Sequence, residues 1–275
     1  IEAISIDEYG CRDTTDKQII VPKPPNAKFK ASSYQACYGN QAFTYFDSSS
    51  TSVGQIVQKN WYFSDGYSVI NDTIGTFSKN FLNPGSYTVT LVVQNDQGCF
   101  DTTNDIISVY PNPTGDFNIN DDKQCLTNNS FVFTNTSLSN FSNNTLLNYW
   151  NFGDSTNSND KSPQKTYSQP GQYQVSLQVT SAYGCTDSFV TTVSVLKIPL
   201  MKLSINNDNQ CVNDNLFELR DSSTFNGSID SIFKSEWYID QTTIIAKNKN
   251  VTFTSAGSYP LLLKSYGKNG CYDST

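Results

Sequence analysis

Short segments in which apolar and polar residues alternate recur along the chain. The clearest occupy residues 87–93, 173–179 and 259–265. Alternation with a period of two is typical of a β-strand with one buried face. A turn follows each segment, as at residues 95–98, and leads into a second β-rich run such as residues 105–110, which predicts a hairpin. No segment has a helical period, so the predicted fold class is all-β.

Several residue types recur with one common period. The dipeptide Gly-Cys recurs in steps of 88, 86 and 86 residues, at Cys11, Cys99, Cys185 and Cys271. The other three cysteines step by 88 and 86 residues, at Cys37, Cys125 and Cys211. The tryptophans are 89 and 87 residues apart, at Trp61, Trp150 and Trp237. This agreement indicates tandem repeats of about 87 residues, and we expect the chain to be part of a longer array.

The period divides the chain into four segments. Residues 1–24 correspond to the last two strands, F and G, of a preceding repeat; 25–111 and 112–198 are repeats; and 199–275 is a divergent repeat that lacks its last strand. Units of this length with closely spaced strands are typical of two-sheet sandwiches of immunoglobulin type. The connectors between repeats are short and contain proline, which restricts φ and stiffens a spacer. We therefore predict sandwiches arranged end to end as a rod.

The sequence around the second tryptophan resembles a known module. Trp150 is followed by Asn-Phe-Gly-Asp-Ser, and Gly-x-Tyr-x-Val follows at residues 171–175. These motifs resemble the PKD domain, an immunoglobulin-like module with a Trp-x-Phe-Gly-Asp-Gly signature and a later Gly-x-Tyr-x-Val strand. Residues 61–66 are a near match with Ser64 in place of the first glycine, whereas the third repeat keeps Trp237 and loses the turn. The common spacing extends the resemblance over nearly the whole chain.

Two aromatic residues in each repeat are predicted to be structural. The tryptophan is expected on strand C, buried against the opposite sheet, and the tyrosine of Gly-x-Tyr is expected to pack its ring and hydrogen-bond its hydroxyl across the corner between strands E and F. These residues are Trp61, Trp150, Trp237, Tyr87, Tyr173 and Tyr259.

Composition excludes several functions. The 18 Lys and Arg against 25 Asp and Glu give a net charge of -7, which disfavours a nucleic-acid partner. The chain has no histidine, so it cannot form His-dependent nucleophile arrangements or His-containing zinc sites, and we predict no enzymatic activity. Its apolar runs are far shorter than the roughly 20 residues of a membrane span, and the N-terminus shows no signal-peptide pattern.

No cofactor is predicted, and Ca²⁺ is the metal to which acidic turn residues would be suited. The weak candidates for a calcium ligand are Asp65, Asp154, Asp121 and Asp122. A lone aspartate beside Gly or Ser is more typical of a turn in which the side chain bonds its own backbone. We therefore favour turn roles for Asp65 and Asp154.

Cysteine usage indicates disulfides and an oxidising, extracytoplasmic setting. Counting favours pairing within each repeat, as Cys37–Cys99, Cys125–Cys185 and Cys211–Cys271. Topology opposes it, because the two cysteines of one repeat lie at opposite ends of a sandwich, about 20 Å apart, and a disulfide needs Cα atoms within roughly 7 Å. Ends of consecutive sandwiches would face each other in an array, which favours Cys37–Cys185 and Cys125–Cys271. Both schemes remain open at this point.

The cysteine contexts also resemble those of very large surface proteins of gliding Bacteroidota. Those proteins have Cys-x-Gly before strand B and Gly-Cys-x-Asp-Thr at strand G, and Cys37-Tyr-Gly and Gly-Cys99-Phe-Asp-Thr resemble these two motifs. The resemblance implies adhesins that are exported by type IX secretion to the outer-membrane surface and move along the cell. It also implies O-glycosylation in Asp-Ser/Thr contexts, here at Thr14, Thr73, Thr102 and Ser274. The alternative is that Asp-Thr simply favours the start of strand G.

Two classes of function fit this sequence. The first is a structural and adhesive surface filament, with neighbouring repeats as partners and with surface polysaccharide, an external substratum or other filament copies as further contacts. The second is a set of non-catalytic accessory modules in a secreted enzyme that degrades polysaccharide or protein. Strict repetition and the stiff connectors favour the first class.

Overall fold

A computed structural model describes residues 1–39, 42–72, 75–141, 145–225 and 230–275. Its regular elements in these residues are all β-strands, which confirms the predicted fold class of tandem immunoglobulin-like sandwiches. No described helix could span a membrane. The chain forms two compact units, residues 1–112 with 183–185, and residues 113–182 with 186–275.

The first unit contains a hairpin and one sandwich. The hairpin strands are β1 (Glu2–Ile6) and β2 (Arg12–Asp16). The strands of the sandwich are β3 (Phe29–Ala31), β4 (Gln35–Cys37), β5 (Phe43–Asp47), β6 (Ile56–Phe63), β7 (Ser68–Val69), β8 (Thr76–Lys79), β9 (Gly85–Asn95) and β10 (Phe100–Tyr110). One sheet has the order β4-β10-β9-β6-β7, and the other has the order β3-β5-β8. Strand β4 runs parallel to β10, while the other pairs are antiparallel.

The second unit contains two further sandwiches, of which the first has the same plan. Its first sandwich consists of β11 (Phe117–Ile119), β12 (Lys123–Cys125), β13 (Phe131–Asn135), β14 (Leu147–Asn151), β15 (Asn157–Ser158), β16 (Gln164–Lys165), β17 (Gly171–Thr180) and β18 (Thr186–Leu196). Its sheets have the orders β12-β18-β17-β14-β15 and β11-β13-β16.

The third repeat has a smaller pair of sheets. Its strands are β19 (Leu203–Ile205), β20 (Phe217–Asp221), β21 (Ile232–Ile239), β22 (Thr242–Ile245), β23 (Asn248–Val251), β24 (Leu261–Gly267) and β25 (Tyr272–Ser274). The sheets have the orders β22-β21-β24-β25 and β19-β20-β23. Strand β25 is much shorter than its counterparts β10 and β18.

Each core is built around its tryptophan. Trp61, Trp150 and Trp237 are fully buried. Each indole Nε1 donates a hydrogen bond, to Asp72 Oδ2 at 3.2 Å, Asp160 O at 2.9 Å and Ala246 O at 3.0 Å. Since burial of this donor would otherwise cost free energy, the bond lets the whole ring lie in the core.

The tyrosines of the Gly-x-Tyr motifs are half-buried and lie at the start of β9 and β17 and just before β24. Their hydroxyls donate to the carbonyl four residues upstream, at 2.7 Å for Tyr87, 2.8 Å for Tyr173 and 2.9 Å for Tyr259. The rings stack on Phe81, Tyr167 and Phe253 with centroids 4.0, 3.9 and 3.7 Å apart. This geometry is that of the predicted tyrosine corner.

Replacing Tyr45 by phenylalanine is expected to stabilise the first repeat. Tyr45 is fully buried, and its hydroxyl has no hydrogen-bond partner in the described residues. Because phenylalanine Phe133 fills the counterpart position of the second repeat, Tyr45→Phe removes an unsatisfied group without changing shape, which should add about 1 kcal/mol to the free energy of unfolding. Urea unfolding followed by Trp61 fluorescence in a W150F/W237F background checks this. Tyr62→Phe, at an exposed position, should change nothing, and an unchanged or lower midpoint for Tyr45→Phe contradicts the prediction.

Candidate functional site

Two disulfides link cysteines of consecutive repeats. Cys37 bonds to Cys185 and Cys125 bonds to Cys271, each with Cα atoms 5.5 Å apart. The bonded residues are 148 and 146 positions apart in sequence, so the structure has the cross-repeat pairs and not the within-repeat alternative. The remaining thiols are free in the described chain, at Cys11, Cys99 and Cys211.

Strand pairing explains why Cys37 and Cys99 do not bond. Cys37 ends strand β4 and lies opposite Tyr110, the last residue of β10. Cys99 precedes Phe100, the first residue of the same strand. An 11-residue strand is about 33 Å long, and a disulfide requires Cα atoms within about 7 Å. Cys125 has the same place in the second repeat, opposite Leu196 at the end of β18.

The hairpin before β25 holds Cys271 in position. Gly270 has φ +88°, a left-handed conformation that favours glycine, and its N–H donates to the Gly267 carbonyl at 3.0 Å. Asn269 Oδ1 accepts the Cys271 N–H at 3.0 Å, and its Nδ2 donates to the Lys197 carbonyl at 2.8 Å. Asn269 therefore hydrogen-bonds both to the backbone of Cys271 and to the connector between the second and third repeats.

The aspartate two residues after Cys99 and Cys185 has a role that the sequence did not reveal. Asp101 Oδ2 accepts the Ala27 N–H at 2.8 Å, and Asp187 Oδ2 accepts the Gly115 N–H at 2.9 Å. Each of these hydrogen bonds connects the last strand of a repeat to the segment just before the first strand of the same repeat. The recurrence of Gly-Cys-x-Asp is the available signal in the sequence, where it predicts a glycosylation context or the start of strand G.

Asp65 and Asp154 are each paired with a lysine. Lys79 Nζ lies 2.7 Å from Asp65 and over the rings of Tyr67 and Phe81, with 4.4 and 4.8 Å to their centroids. Lys165 Nζ lies 2.7 Å from Asp154 in the same arrangement. Burial acts to raise the pKa of both carboxyls, but the hydrogen bonds and charge of the lysine outweigh it and keep each pKa below its usual value. Each of the two carboxylates is therefore paired with an ammonium group in this structure.

The other two acidic candidates take part in backbone hydrogen bonds. Asp121 Oδ1 accepts the Lys123 N–H at 3.0 Å, and the Asp122 carbonyl accepts the Ser194 N–H at 2.8 Å. Among the described residues, the structure brings no three His, Cys, Asp or Glu side chains together as a metal site.

Asp154→Asn is expected to destabilise the second repeat at neutral pH. It removes a well-placed ion pair, which should lower the free energy of unfolding by about 1 kcal/mol. Because the folded pKa of Asp154 lies below its unfolded value, this contribution is full above about pH 4 and is lost as the pH falls through the folded pKa. Urea unfolding at pH 7 and pH 2.5, followed by Trp150 fluorescence in a W61F/W237F background, measures the difference.

Calcium provides the control for that prediction. If the lysines hold both carboxylates, millimolar Ca²⁺ should leave the unfolding midpoints of wild type and Asp154→Asn unchanged. A rise in the unfolding midpoint with Ca²⁺ that disappears in Asp154→Asn would contradict the pairing with lysine and would indicate a cation site at Asp154.

The glycosylation candidates are exposed where they are described. Thr14, Thr102 and Ser274 lie on the surface of β2, β10 and β25, and Thr73 lies outside the described residues. Glycosylation stays a prediction, which the intact mass of the native protein would test.

Comparison with known proteins identifies the type of module. The family model for the PKD domain matches residues 22–109 and 112–196, which together are more than half of the chain. The PKD1 domain of Vibrio anguillarum Epp is 30% identical, with 30% of this chain and 93% of that chain covered and a TM-score of 0.27. The PKD1 domain of the Vibrio cholerae metalloprotease PrtV is 29% identical, with coverage of 32% and 98% and a TM-score of 0.28.

A longer likeness concerns the architecture. The eight N-terminal immunoglobulin domains of Down Syndrome Cell Adhesion Molecule match 100% of this chain and 38% of their own, with a TM-score of 0.52 and 10% identity. At this identity the likeness shows the fold alone. No protein of curated function matches the chain.

Proposed function

The chain belongs to the PKD domain family, and we propose that it is a structural and adhesive repeat region of a very large bacterial cell-surface filament of the gliding-motility type. The cross-repeat disulfides carry this proposal. In a chain whose repeats were independent spacers, each disulfide would join two cysteines of the same sandwich. Here both bonds instead tie one repeat to the next, which suits a molecule that must transmit force along a tandem array.

The disulfides also support an extracytoplasmic location. Stable disulfides form in oxidising compartments and are rare in the cytosol. Together with the PKD family this supports a secreted or surface-exposed protein. Type IX export and attachment to the outer-membrane surface are part of the proposal and rest on the sequence resemblance.

The outward faces of the larger sheets support an adhesive role. In the first repeat, Tyr62 is exposed between the buried Trp61 and Phe63, and Phe100 is exposed at the start of β10. In the second repeat, Tyr149 is exposed next to the buried Trp150, and Val190 is exposed on β18. Exposed apolar side chains on a sheet face can contact a surface polysaccharide or an external substratum. We propose these contacts, with other copies of the filament, as the non-covalent partners, and infer a non-catalytic role.

Immunoprecipitation from the source bacterium tests the proposal. An antibody raised against this chain should label intact cells and should recover one very large polypeptide that contains many repeats of about 87 residues by peptide mass mapping. Cells in which the repeat region is deleted should lose surface adhesion and gliding. Recovery of a protein with a catalytic domain beside one or two repeats, with hydrolase activity in the precipitate, would support the accessory-module alternative instead.

A further inference from the structure

The outer face of the larger sheet in the third repeat carries tyrosines and charged side chains on three adjacent strands. We call them the tyrosine cluster: Lys234, Glu236 and Tyr238 on β21, Lys264 and Tyr266 on β24, and Tyr272 on β25. Even-numbered residues of β21 and β24 point away from the core, because odd-numbered residues between them, such as Trp237 and Leu263, are fully buried. Tyr272 lies on the same face because it is directly opposite Tyr266 in the strand register.

The carboxylate of Glu236 fixes the centre of the tyrosine cluster. Its Oε2 accepts hydrogen bonds from the hydroxyls of Tyr266 at 2.7 Å and Tyr238 at 2.9 Å, and Lys234 Nζ lies 2.5 Å from its Oε1. The hydrogen bonds from Lys234 and from the two tyrosines lower the pKa of Glu236 to about 2, so it is ionised at neutral pH. Because these bonds already order the two rings, a ligand that packs on the face would lose less side-chain entropy on binding.

Lys264 carries a positive charge that no carboxylate compensates. Its Nζ lies over the rings of Tyr238 and Tyr272, 5.1 and 5.6 Å from their centroids, and it forms no ion pair in the described part of the chain. The tyrosine cluster thus has two lysines against one glutamate and is locally positive, in a chain whose net charge is -7. This local charge favours an anionic ligand.

The tyrosine rings indicate which kind of anion fits. Tyr272 is 49% exposed, and its ring centroid lies 5.2 Å from that of Tyr266, beside the Lys264 ammonium group. Partly exposed rings next to polar groups suit a ligand that has both apolar C–H faces and hydroxyls, as a sugar ring has. The backbone groups of β21 and β24 are engaged in pairing within the sheet, so an extended acidic peptide on this face would gain no backbone hydrogen bonds from them.

The first two repeats form the same type of sheet without these charges. The repeats can be aligned on the buried tryptophan and the leucine opposite it, and neither Glu236 nor Lys264 then has a charged counterpart. The counterparts are Asn60 and Val92 in the first repeat, and Tyr149 and Gln178 in the second. The fold therefore does not require a charged residue at either position, which leaves ligand binding as a role for them.

We propose that the tyrosine cluster binds an acidic polysaccharide, with a uronic acid ring packed on Tyr272 and its carboxylate bound by Lys264. Glu236 is a positioning residue, which orients Tyr238 and Tyr266. The assignment rests on the proposed function, because it names a site and a ligand class for the contact with polysaccharide proposed above.

Titration calorimetry of the oxidised chain with hexamers of galacturonate and of mannuronate tests the proposal. At least one hexamer should bind saturably, and more weakly in 0.5 M than in 0.05 M NaCl, because salt screens the exposed ammonium group. The methyl ester of the same hexamer keeps the sugar rings and loses the charge, so it should bind at least about fivefold more weakly. No binding of either hexamer, or equal binding of acid and ester, would overturn the proposal.

Substitutions locate the site on this face. Lys264→Gln and Tyr272→Ala should each weaken binding at least about threefold, through loss of a charged partner and of an aromatic contact. The matched control Lys249→Gln removes the same charge at an exposed position of β23, in the opposite sheet, and should bind like wild type. Urea unfolding followed by Trp237 fluorescence in a W61F/W150F background confirms that each variant is folded.

Equal affinity of wild type and Lys264→Gln would place the ligand elsewhere and overturn the proposal. That result would leave the proposed function standing, because surface labelling, adhesion and gliding of the deletion strain test the function separately. Loss of neither adhesion nor gliding in that strain, with binding of the acidic hexamer intact, would instead contradict the function and retain the site.

Discussion

Pulled from its two ends, the oxidised chain should extend to about 350 Å, whereas the fully reduced chain should extend to about 950 Å. The difference follows from the covalent path that bears the load. Disulfides do not break or lengthen under forces that unfold sandwiches. Residues inside a loop closed by a disulfide therefore bear no force and are not extended. The disulfides therefore set how far the protein can be stretched, whatever the stability of its sheets.

The loops closed by the two bonds overlap, and this overlap determines the path. It runs for 36 residue steps from Ile1 to Cys37, crosses to Cys185, returns 60 steps to Cys125, crosses to Cys271 and ends four steps later. These are 100 steps, against 274 in the reduced chain. At roughly 3.3–3.6 Å for each extended residue, they give the two lengths above.

Single-molecule stretching with and without reductant measures these lengths. Removal of one bond, by Cys37→Ser/Cys185→Ser or by Cys125→Ser/Cys271→Ser, leaves paths of 128 and 126 steps, so either variant should extend to about 440 Å. A value near 440 Å for the native chain would mean that one bond is absent, and about 950 Å without reductant would rule out both. Because each bond compensates for the loss of the other, a tandem array would keep most of its limit on extension after one reduction.

Features with strict spacing could be predicted from the sequence, and features without it could not. The alternating strands and the Gly-Cys period predicted the all-β repeats. The expected positions of Cys37 and Cys99 at opposite ends of one sandwich favoured Cys37–Cys185 over Cys37–Cys99. The lysine partners of the acidic turns were hidden, because Lys79 lies 14 residues after Asp65. In the second repeat the same pairing spans 11 residues, so no common spacing marks it.

Short strands and hydrogen bonds between distant segments could not be predicted from the sequence either, for physical reasons. Strand β4 has three residues, too few for a periodic pattern, and its pairing with β10 depends on a partner more than 70 residues away. The aspartate that bonds the Ala27 N–H is likewise recognisable only once the first and last strands of a repeat lie side by side. Tertiary context, which single-sequence patterns do not contain, fixes both features.

The variant Cys125→Ser/Cys271→Ser should destabilise the third repeat more than any other part of the chain. Among the described residues, its cluster of buried apolar side chains has four members, against 12 and 11 in the first and second repeats. Its interior also holds the Asp221 carboxylate, which accepts hydrogen bonds from Ser235 at 2.5 Å and Ser265 at 2.7 Å. A core this small and polar gains little from apolar burial, so the restraint from the disulfide forms a larger share of its stability.

Loss of that disulfide is expected to lower the free energy of unfolding of the third repeat by about 2–5 kcal/mol, because the bond closes a long loop in the unfolded chain. Urea unfolding in a W61F/W150F background follows the repeat through Trp237 alone. Cys37→Ser/Cys185→Ser is the matched control, since neither residue belongs to the third repeat, and its Trp237 transition should not move. An equal shift in both variants would show that the bonds stabilise the chain as a whole, whereas a shift confined to Cys125→Ser/Cys271→Ser would show that this bond stabilises the third sandwich itself.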